Sequence, residues 1–266
     1  MVIVRKNQGY TSDLSDAEWD IVKISPAFDK ERYGRPRQLD LRAVVNAILY
    51  VLHNGCIWAD LPKAYPNFNS VHYYFRKWRL NGEWGVINER LRRQVRQEMG
   101  RTPEASAGSV DSQKVKTTEA GGARGYDAGK KIKGRKRHIV VDTNGFLIEA
   151  VVHAANIQDR DGAKLVFEKL SDDAKHCLQK IWADGGYRGQ LLDWVQSHLE
   201  ATLEIVERDP NAKGFKLLPY RWVVERTFAW LGRSRRLSKD YERTLASSEA
   251  FLYLAAIQTL LRRCTA

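Results

Sequence analysis

The sequence has little cysteine and no long apolar run. Its three cysteines, Cys56, Cys177 and Cys264, are odd in number and far apart, without C-x-x-C spacing. This pattern excludes a disulfide framework and argues against a zinc site. The longest uninterrupted apolar run, Ala250 to Ile257, has eight residues, whereas a membrane-spanning helix needs about 18 or more. The first 20 residues do not resemble a secretory signal, so we expect an intracellular protein.

Acidic residues are scarce relative to basic ones. Lys and Arg number 44 against 32 Asp and Glu, which gives a formal net charge of +12. The excess is present in both parts of the chain, with 16 basic and 11 acidic residues in positions 1–100 and 28 against 21 in positions 101–266. This balance favours a polyanionic partner, and nucleic acid is the candidate because its phosphates attract Lys and Arg. A basic surface without such a partner is the alternative.

Residues 1–100 follow a helical pattern. Ser15 and Glu18 form a capping box, and Asp40 precedes an amphipathic stretch that ends at Asn54 and Gly55. A short segment then leads to a basic and aromatic helix, SVHYYFRKWRL, which completes the outline of a helix-turn-helix. The residues predicted to face DNA are Arg76, Lys77 and Arg79. A helical bundle with a solvated basic face is the alternative interpretation.

The predicted secondary structure changes after residue 100. Residues 101–107, RTPEASA, have the composition of a linker. Residues 108–266 then predict three strands, a helix, and strand, helix, strand, helix in turn. This α/β order is that of a ribonuclease H-like core, in which strand 1 lies between strands 2 and 4. We therefore expect such a core behind an N-terminal all-helical, helix-turn-helix-like domain.

Three acids lie at informative places in these elements. Asp111 is on the first strand, in SVDSQKVK, and Asp184 ends the strand KIWAD. Glu225 is on a later helix, RWVVERTFAWL. Because strands 1 and 4 are neighbours in the expected sheet, the two aspartates can converge, and a helix packed there can bring the glutamate to them. Each acid alone has another explanation, as a strand-end cap, a turn residue or a surface charge.

A divalent metal would explain the three acids together. Gathered carboxylates repel one another unless cations neutralise them, and hard oxygen ligands favour Mg²⁺ or Mn²⁺ over Zn²⁺. Two ions about 3.5–4 Å apart can activate a nucleophilic oxygen and stabilise a leaving oxygen at a phosphodiester. We therefore predict catalytic and metal-binding roles for Asp111, Asp184 and Glu225, with Mg²⁺ (or Mn²⁺) and two ions.

Three strings in this region resemble a known family. VDSQKVK, DGGYRG and RWVVERTFAWLGRSRRLSKDYE are similar to the catalytic blocks of DDE transposases from bacterial insertion sequences, in the insertion sequence five group. LSDAEWDIV, GRPRQLDLRAVVNAILYVLHNGCIWADLP and VHYYFRKWR resemble that group's N-terminal domain. The resemblance covers nearly the whole chain. It implies a ribonuclease H-like fold and a metal-bound triad that falls on Asp111, Asp184 and Glu225.

The resemblance also implies a function and its partners. By this resemblance, the chain would bind terminal inverted repeats, cleave a strand there and transfer the 3′-hydroxyl into double-stranded target DNA. It would act as at least a homodimer. The implied location is the bacterial cytoplasm, in association with the nucleoid. In the family pattern Y-x2-R-x3-E-x6-K, Arg221 matches the arginine, while Leu218 and Gly232 occupy the tyrosine and lysine positions. Tyr220 and Arg233 lie nearby, and the family contacts of that tyrosine and lysine are not transferred.

Two basic segments are the remaining candidates for DNA contact. A glycine-rich stretch between Arg124 and His138 is predicted to form a loop that follows a phosphate backbone, a solvated flexible loop being the alternative. Its candidates are Lys130, Lys131, Lys133, Arg135, Lys136 and Arg137. Those on or after the glutamate helix are Arg221, Arg226, Arg233, Arg235 and Arg236. We interpret His138, His153 and Trp182 as core residues and Glu242 as a weaker rival to Glu225.

Two other functions remain open from the sequence. One is a non-catalytic DNA-binding protein derived from a transposase, which the presence of all three acids disfavours. The other is a ribonuclease H-like nuclease that cuts DNA without joining it. Assays of strand transfer separate these from a transposase.

Overall fold

The N-terminal part of the chain is helical, as its pattern predicts. The computed structural model describes residues 9–28, 38–129, 131–207 and 220–265. The first four α-helices are α1 (Asp16–Val22), α2 (Leu41–Asn54), α3 (Phe68–Leu80) and α4 (Glu83–Glu98). The Ser15 capping box and the Asp40 cap are confirmed, and Gly55 ends α2 with a φ of 72°. Helix α3 begins two residues before the predicted string SVHYYFRKWRL, because Asn67 caps it.

The connection between α2 and α3 does not confirm a helix-turn-helix. Residues 55–67 separate the two helices and contain a single 3₁₀ helix, Trp58–Asp60, whereas the motif has a turn of about 3–4 residues. Helix α3 packs inward through its aromatic residues, with Phe75 and Trp78 buried and Tyr74 partly buried. The described residues before β1 therefore support a helical region but not this motif.

A mixed sheet follows the helices. Its strands, within the described residues, are β1 (Ala107–Lys116), β2 (Gly125–Asp127), β3 (Ile132–Asp142), β4 (Leu147–Ala154), β5 (Lys180–Ala183) and β6 (Thr202–Ile205). Strand β1 pairs antiparallel with β3 and parallel with β5. Strands β2 and β4 pair with β3, and β6 pairs parallel with β5. Strands β3 and β5 correspond to the predicted strands 2 and 4, because the short β2 was not predicted. The two neighbours expected for the first strand are thus confirmed.

Helices cover both faces of this sheet. They are α5 (Asp159–Glu168), α6 (Asp172–Cys177), α7 (Leu191–Leu199), α8 (Arg221–Leu231) and α9 (Leu245–Cys264). Side chains alternate between faces along a strand, so Val140 packs with the residues of α5 and α7. Ile139 and Val141 point the other way, into a core shared with α8, α9 and the N-terminal helices. The helical part and the sheet are therefore joined by one hydrophobic core.

The segment expected to be a linker is tied to α4. Glu104 accepts a hydrogen bond from Arg92 at 2.9 Å, and Arg96 donates to the carbonyl oxygens of Thr102 and Glu104. Residues 101–107 are therefore a packed connection. The division into domains at 1–100 and 108–266 stays a prediction.

The basic, glycine-rich segment is mostly strand, which corrects the expectation of a loop. Gly125 and Gly134 are register partners in β2 and β3. A Cβ at Gly134 would lie 2.0 Å from the carbonyl oxygen of Val115, and one at Gly125 would lie 1.9 Å from Asn156. These glycines therefore permit close packing of strands. Lys130 lies outside the described residues.

Among the helices that the described ranges contain, none has the length and apolar character needed to cross a bilayer. Cys56, Cys177 and Cys264 are all free thiols.

Candidate active site

The sheet places the two aspartates at the ends of neighbouring strand segments, on one face. Strands β1 and β5 are parallel neighbours, and Ser109 is the register partner of Trp182. Asp111 and Asp184 each follow two residues later, and residues two apart on a strand share a face. Both carboxylates therefore lie on the face that α8 covers.

Helix α8 brings Glu225 to this face together with an arginine. Arg221 and Glu225 are four residues apart, one turn of the helix. The Arg221 Nη2 atom lies 3.9 Å from Asp111 Oδ2, 3.7 Å from Asp184 Oδ2 and 3.4 Å from Glu225 Oε1. One guanidinium is thus within 4 Å of all three predicted triad carboxylates. Arg221 was expected to contact DNA, and its position at the centre of the acids was not expected.

The three carboxylates differ in exposure. The side chains of Asp111, Asp184 and Glu225 are 19%, 36% and 61% exposed. Burial raises the pKa of Asp111 to about 6, and the charge of Asp184 adds to the increase, against the opposing effects of the Ser112 N–H bond and Arg221. A buried carboxylate beside a second one gains most from a nearby cation. The electrostatics of the site therefore favour cation binding.

The donor set fits a hard divalent ion in its chemistry. All three side chains supply carboxylate oxygens, the ligands that Mg²⁺ and Mn²⁺ prefer. Within the residues that the structure describes, no three His, Cys, Asp or Glu side chains are already spaced to hold one ion. The carboxylates around Arg221 would therefore have to move closer together to ligate a metal.

The turn after Asp184 fixes the orientation of its carboxylate. Asp184 Oδ1 accepts a hydrogen bond from the Gly186 backbone N–H at 2.8 Å, at the start of the 3₁₀ helix Gly185–Tyr187. A Cβ at Gly186 would approach the same Oδ1 atom to 2.9 Å. Glycine at this position therefore permits the close contact that holds the carboxylate.

A buried hydrogen-bond chain lies behind the same turn. His153 Nδ1 donates to the Ala154 carbonyl oxygen at 2.9 Å, so a neutral His153 accepts at Nε2. His138 Nδ1 then donates to His153 Nε2 at 2.9 Å, and the Tyr187 hydroxyl donates to His138 Nε2 at 2.7 Å. Both imidazoles are thereby used fully in their neutral form. The chain anchors Tyr187, at the end of the turn that begins at Asp184.

These histidines predict a dependence of folding stability on pH. Burial, the neighbouring His153 and Lys136 lower the pKa of His138 from 6.5 to about 3, against a smaller opposing effect of Asp159. Below pH 6.5 the unfolded chain binds a proton that the folded chain does not, so stability decreases as the pH falls from about 6.5 toward 3. The slope is at most about 1.4 kcal/mol per pH unit for this one group. Urea unfolding between pH 7.5 and 5 measures it.

Two variants separate this effect from the titration of other groups. His138→Gln removes the titrating group. The slope of the unfolding free energy against pH below 6.5 should then lose the contribution of about one proton. His176→Gln, which replaces an exposed histidine on α6, is the control substitution. An unchanged slope in His138→Gln would show that His138 is protonated in the folded protein.

Three of the expected DNA contacts on β3 are buried. Arg135 donates to Asp240 at 2.9 Å and to three carbonyl oxygens. Lys136 donates to the Ile157 carbonyl at 2.6 Å. Arg137 donates to the carbonyl oxygens of Leu237 and Lys239, and burial lowers its pKa to about 10. Their donors are directed at the protein's own oxygens, which corrects the expectation that they bind phosphates.

Arg236 is also corrected, and Glu242 is accounted for with it. Arg236 is buried and donates to Glu242 at 2.7 Å and to the Cys56 carbonyl at 3.0 Å. Glu242 therefore holds a structural arginine and is no rival to Glu225. The remaining basic candidates reach the surface fully or in part: Arg76, Lys77, Arg79, Lys131, Lys133, Arg226, Arg233 and Arg235.

Two exposed arginines near the aspartate turn were missed from the sequence. Arg160 and Arg188 line a cavity of about 400 Å³ together with Gly185 and Gly186. Asp159, which also lines it, accepts a hydrogen bond from Ser112, the residue after Asp111. Arg188 directly follows the DGGY string, and this position could have identified it from the sequence. No sequence pattern could have identified Arg160, because only the fold brings α5 close to the aspartate turn.

Comparisons with known proteins identify the family to which the chain is similar. Residues 102–261 match the family described as a transposase DDE domain, and residues 14–105 match a putative transposase of the IS4/5 family. A putative transposase for insertion sequence element IS402 from Burkholderia cepacia is 33% identical over 132 residues, which are 46% of this chain. The match spans only 60% of that relative's length. No solved structure matches the chain.

The fold and site define a class before they define a family. A mixed α/β fold that gathers three carboxylates from two adjacent parallel strands and one helix is compatible with an enzyme that acts through divalent metal ions. Within that class, the chain belongs to the DDE transposase family, in the IS4/5 group. The family implies a divalent metal and DNA as substrate.

Proposed function

We propose that the chain is a DNA transposase that binds the terminal inverted repeats of an insertion sequence, cleaves the strand there and transfers its 3′-hydroxyl into target DNA. The observation that carries the proposal is the convergence of Asp111, Asp184 and Glu225 within 4 Å of Arg221 Nη2. The strand order around β1 supports a ribonuclease H-like core, with residues 108–266 as the catalytic domain and residues 1–100 as the DNA-binding domain.

The proposed reaction is two displacements at phosphorus. In the first, a water oxygen attacks the phosphorus atom at the element end, the bond to the 3′ oxygen breaks, and a 3′-hydroxyl is released. In the second, that hydroxyl oxygen attacks a target phosphodiester, so one phosphorus–oxygen bond forms as one breaks and no external energy is needed. Asp111, Asp184 and Glu225 would hold two Mg²⁺ or Mn²⁺ ions. The ions would polarise the phosphoryl oxygen and stabilise the leaving oxygen.

The chain's other residues have the charge to bind DNA around this centre. Arg160 and Arg188 flank the turn after Asp184 and suit the phosphates beside the scissile bond. For the more distant duplex we propose helix α3, with Arg76, Lys77 and Arg79, as a recognition helix. Lys131, Lys133, Arg226, Arg233 and Arg235 supply further phosphate contacts. Two ends must be held at once, so the active complex is at least a homodimer on the nucleoid DNA of a bacterial cytoplasm.

Metal removal tests the proposal directly. The purified chain is incubated with labelled duplexes from the DNA on either side of its reading frame and with a supercoiled plasmid. With Mg²⁺ we expect a nick that leaves a 3′-hydroxyl, followed by joined product. With EDTA both reactions should stop while binding of the duplexes persists, because the metal acts in the chemical step.

Other outcomes of this assay would support the alternative functions. Metal-dependent cutting without joined product would identify a nuclease. Duplex binding without cutting in any divalent metal would identify a non-catalytic DNA-binding protein.

A further inference from the structure

The residue before α8 has an uncommon backbone conformation. Tyr220 has φ 64° and ψ −28°, in the left-handed region, although it is not glycine. Bulky residues adopt this conformation only where the surrounding structure holds them in it. Tyr220 immediately precedes Arg221 and lies five residues before Glu225. Its conformation therefore sets the direction in which the glutamate helix leaves the sheet.

Strand β5 holds the Tyr220 side chain. The Tyr220 ring stacks on the indole of Trp182, with ring centroids 4.0 Å apart and an angle of 8° between the planes. Trp182 is only 6% exposed, and the Lys180 ammonium lies 5.5 Å from its ring centroid. Tyr220 itself is 50% exposed. The stack thus covers a tryptophan on the strand that carries Asp184.

Strand β1 holds the Tyr220 backbone. The Ser109 hydroxyl donates a hydrogen bond to the Tyr220 carbonyl oxygen at 2.9 Å. Ser109 is 2% exposed, so the donor of this bond is buried. The ring of Tyr220 is therefore held by β5 and its carbonyl oxygen by β1.

The two contacts are placed symmetrically with respect to the aspartates. Ser109 and Trp182 are register partners, and each lies two residues before its aspartate. Residues two apart on a strand share a face, so the strand segments that hold Tyr220 continue directly into Asp111 and Asp184. Glu225 follows Tyr220 by little more than one helical turn. A single residue thus links all three carboxylates.

We propose that Tyr220 is a positioning residue that sets Glu225 opposite Asp111 and Asp184 by docking the start of α8 on β1 and β5. The proposal rests on the proposed function, because it concerns the geometry of that triad. The half-exposed ring of Tyr220 has another explanation, a direct contact with DNA. The two differ in whether the ring matters before DNA is present.

Metal affinity without DNA distinguishes them. Mn²⁺ is titrated into the full, DNA-free chain by calorimetry, with Asp111→Asn defining the signal that belongs to the triad. Tyr220→Phe keeps the stacked ring and should bind Mn²⁺ like the native chain. Tyr220→Ala should bind about 10-fold more weakly, the low end of the effect of losing groups that orient metal ligands. Its kcat for strand cleavage should decrease while KM for DNA does not change.

Two more variants separate the ring from folding effects. Tyr220→Gly also removes the ring, but glycine adopts the left-handed conformation without strain, so weaker Mn²⁺ binding there supports the role of the ring even if Tyr220→Ala does not fold. Tyr126→Ala removes a tyrosine of similar exposure, 55%, on β2, and should leave Mn²⁺ affinity unchanged.

Native Mn²⁺ affinity in Tyr220→Gly, or a loss confined to DNA affinity, overturns the proposal in favour of a DNA contact. A native chain that shows no Asp111-dependent Mn²⁺ binding would contradict the proposed function itself, which is a distinguishable failure.

Discussion

Replacing Asp111 by asparagine is expected to slow strand cleavage by about 10³-fold or more. The substitution keeps the size of the side chain and removes the most buried of the three negative charges around Arg221. A metal ion supplies several kcal/mol of transition-state stabilisation, and about 4 kcal/mol corresponds to a factor of about 10³ in rate. Single-turnover cleavage of a labelled duplex from the element end measures the effect. Retained strand transfer in Asp111→Asn would contradict the triad.

Folding and DNA binding should survive the same substitution. Burial raises the pKa of Asp111 to about 6, above its ordinary 3.8, so the ionised carboxylate is less stable in the folded chain than in the unfolded one at pH 7. The free energy of unfolding of Asp111→Asn should therefore not decrease. Asp193→Asn, on the exposed side of α7, is a matched control that should keep both activity and stability. A misfolded Asp111→Asn chain would leave Glu225→Gln, whose carboxylate is 61% exposed, to test the same loss.

Local signals in the sequence were sufficient to predict the starts of two N-terminal helices. The capping box at Ser15 and the Asp40 cap act within one turn of their helices, so the sequence alone predicts where those helices begin. The order of elements also predicts that strands 1 and 4 are neighbours, so that Asp111 and Asp184 can converge. The prediction that Glu225 joins them needed one further step, a helix packed on the same face.

The interactions that the sequence did not predict involve partners far apart in the chain. Arg135 meets Asp240 across 105 positions, and Ser109 meets Tyr220 across 111. A run of basic residues shows charge but not burial, so Arg135 and Arg137 could not be told from their exposed neighbours Lys131 and Lys133. The glycines among them suggested a flexible loop, whereas Gly134 allows β3 to approach β1 closely. In each case packing between distant segments determined the outcome.

Removing the carboxylate of Asp240 should be the most destabilising single change at the surface of contact between β3 and the segment after α8. The side chains of Arg135 and Asp240 are both 0% exposed, and their atoms Nη1 and Oδ1 are 2.9 Å apart. Asp240 also accepts hydrogen bonds from the Ser248 hydroxyl at 2.7 Å and the Glu242 N–H at 3.0 Å. Asp240→Ala leaves a buried guanidinium without its counter-charge, which costs about 3–5 kcal/mol. Urea unfolding at pH 7 measures the loss.

The Lys180–Glu204 pair provides the matched control for this loss. Its side chains are 45% and 47% exposed, and Glu204→Ala should cost less than about 1 kcal/mol because solvent screens the pair. Arg135→Met tests the other partner and separates two roles for this arginine. If Arg135 served to bind phosphates, Arg135→Met would weaken DNA binding and leave the free energy of unfolding unchanged. With the carboxylate of Asp240 and three carbonyl oxygens bound to Arg135 in the interior, we expect the reverse: a chain that unfolds at lower urea concentration and, while folded, binds DNA with native affinity.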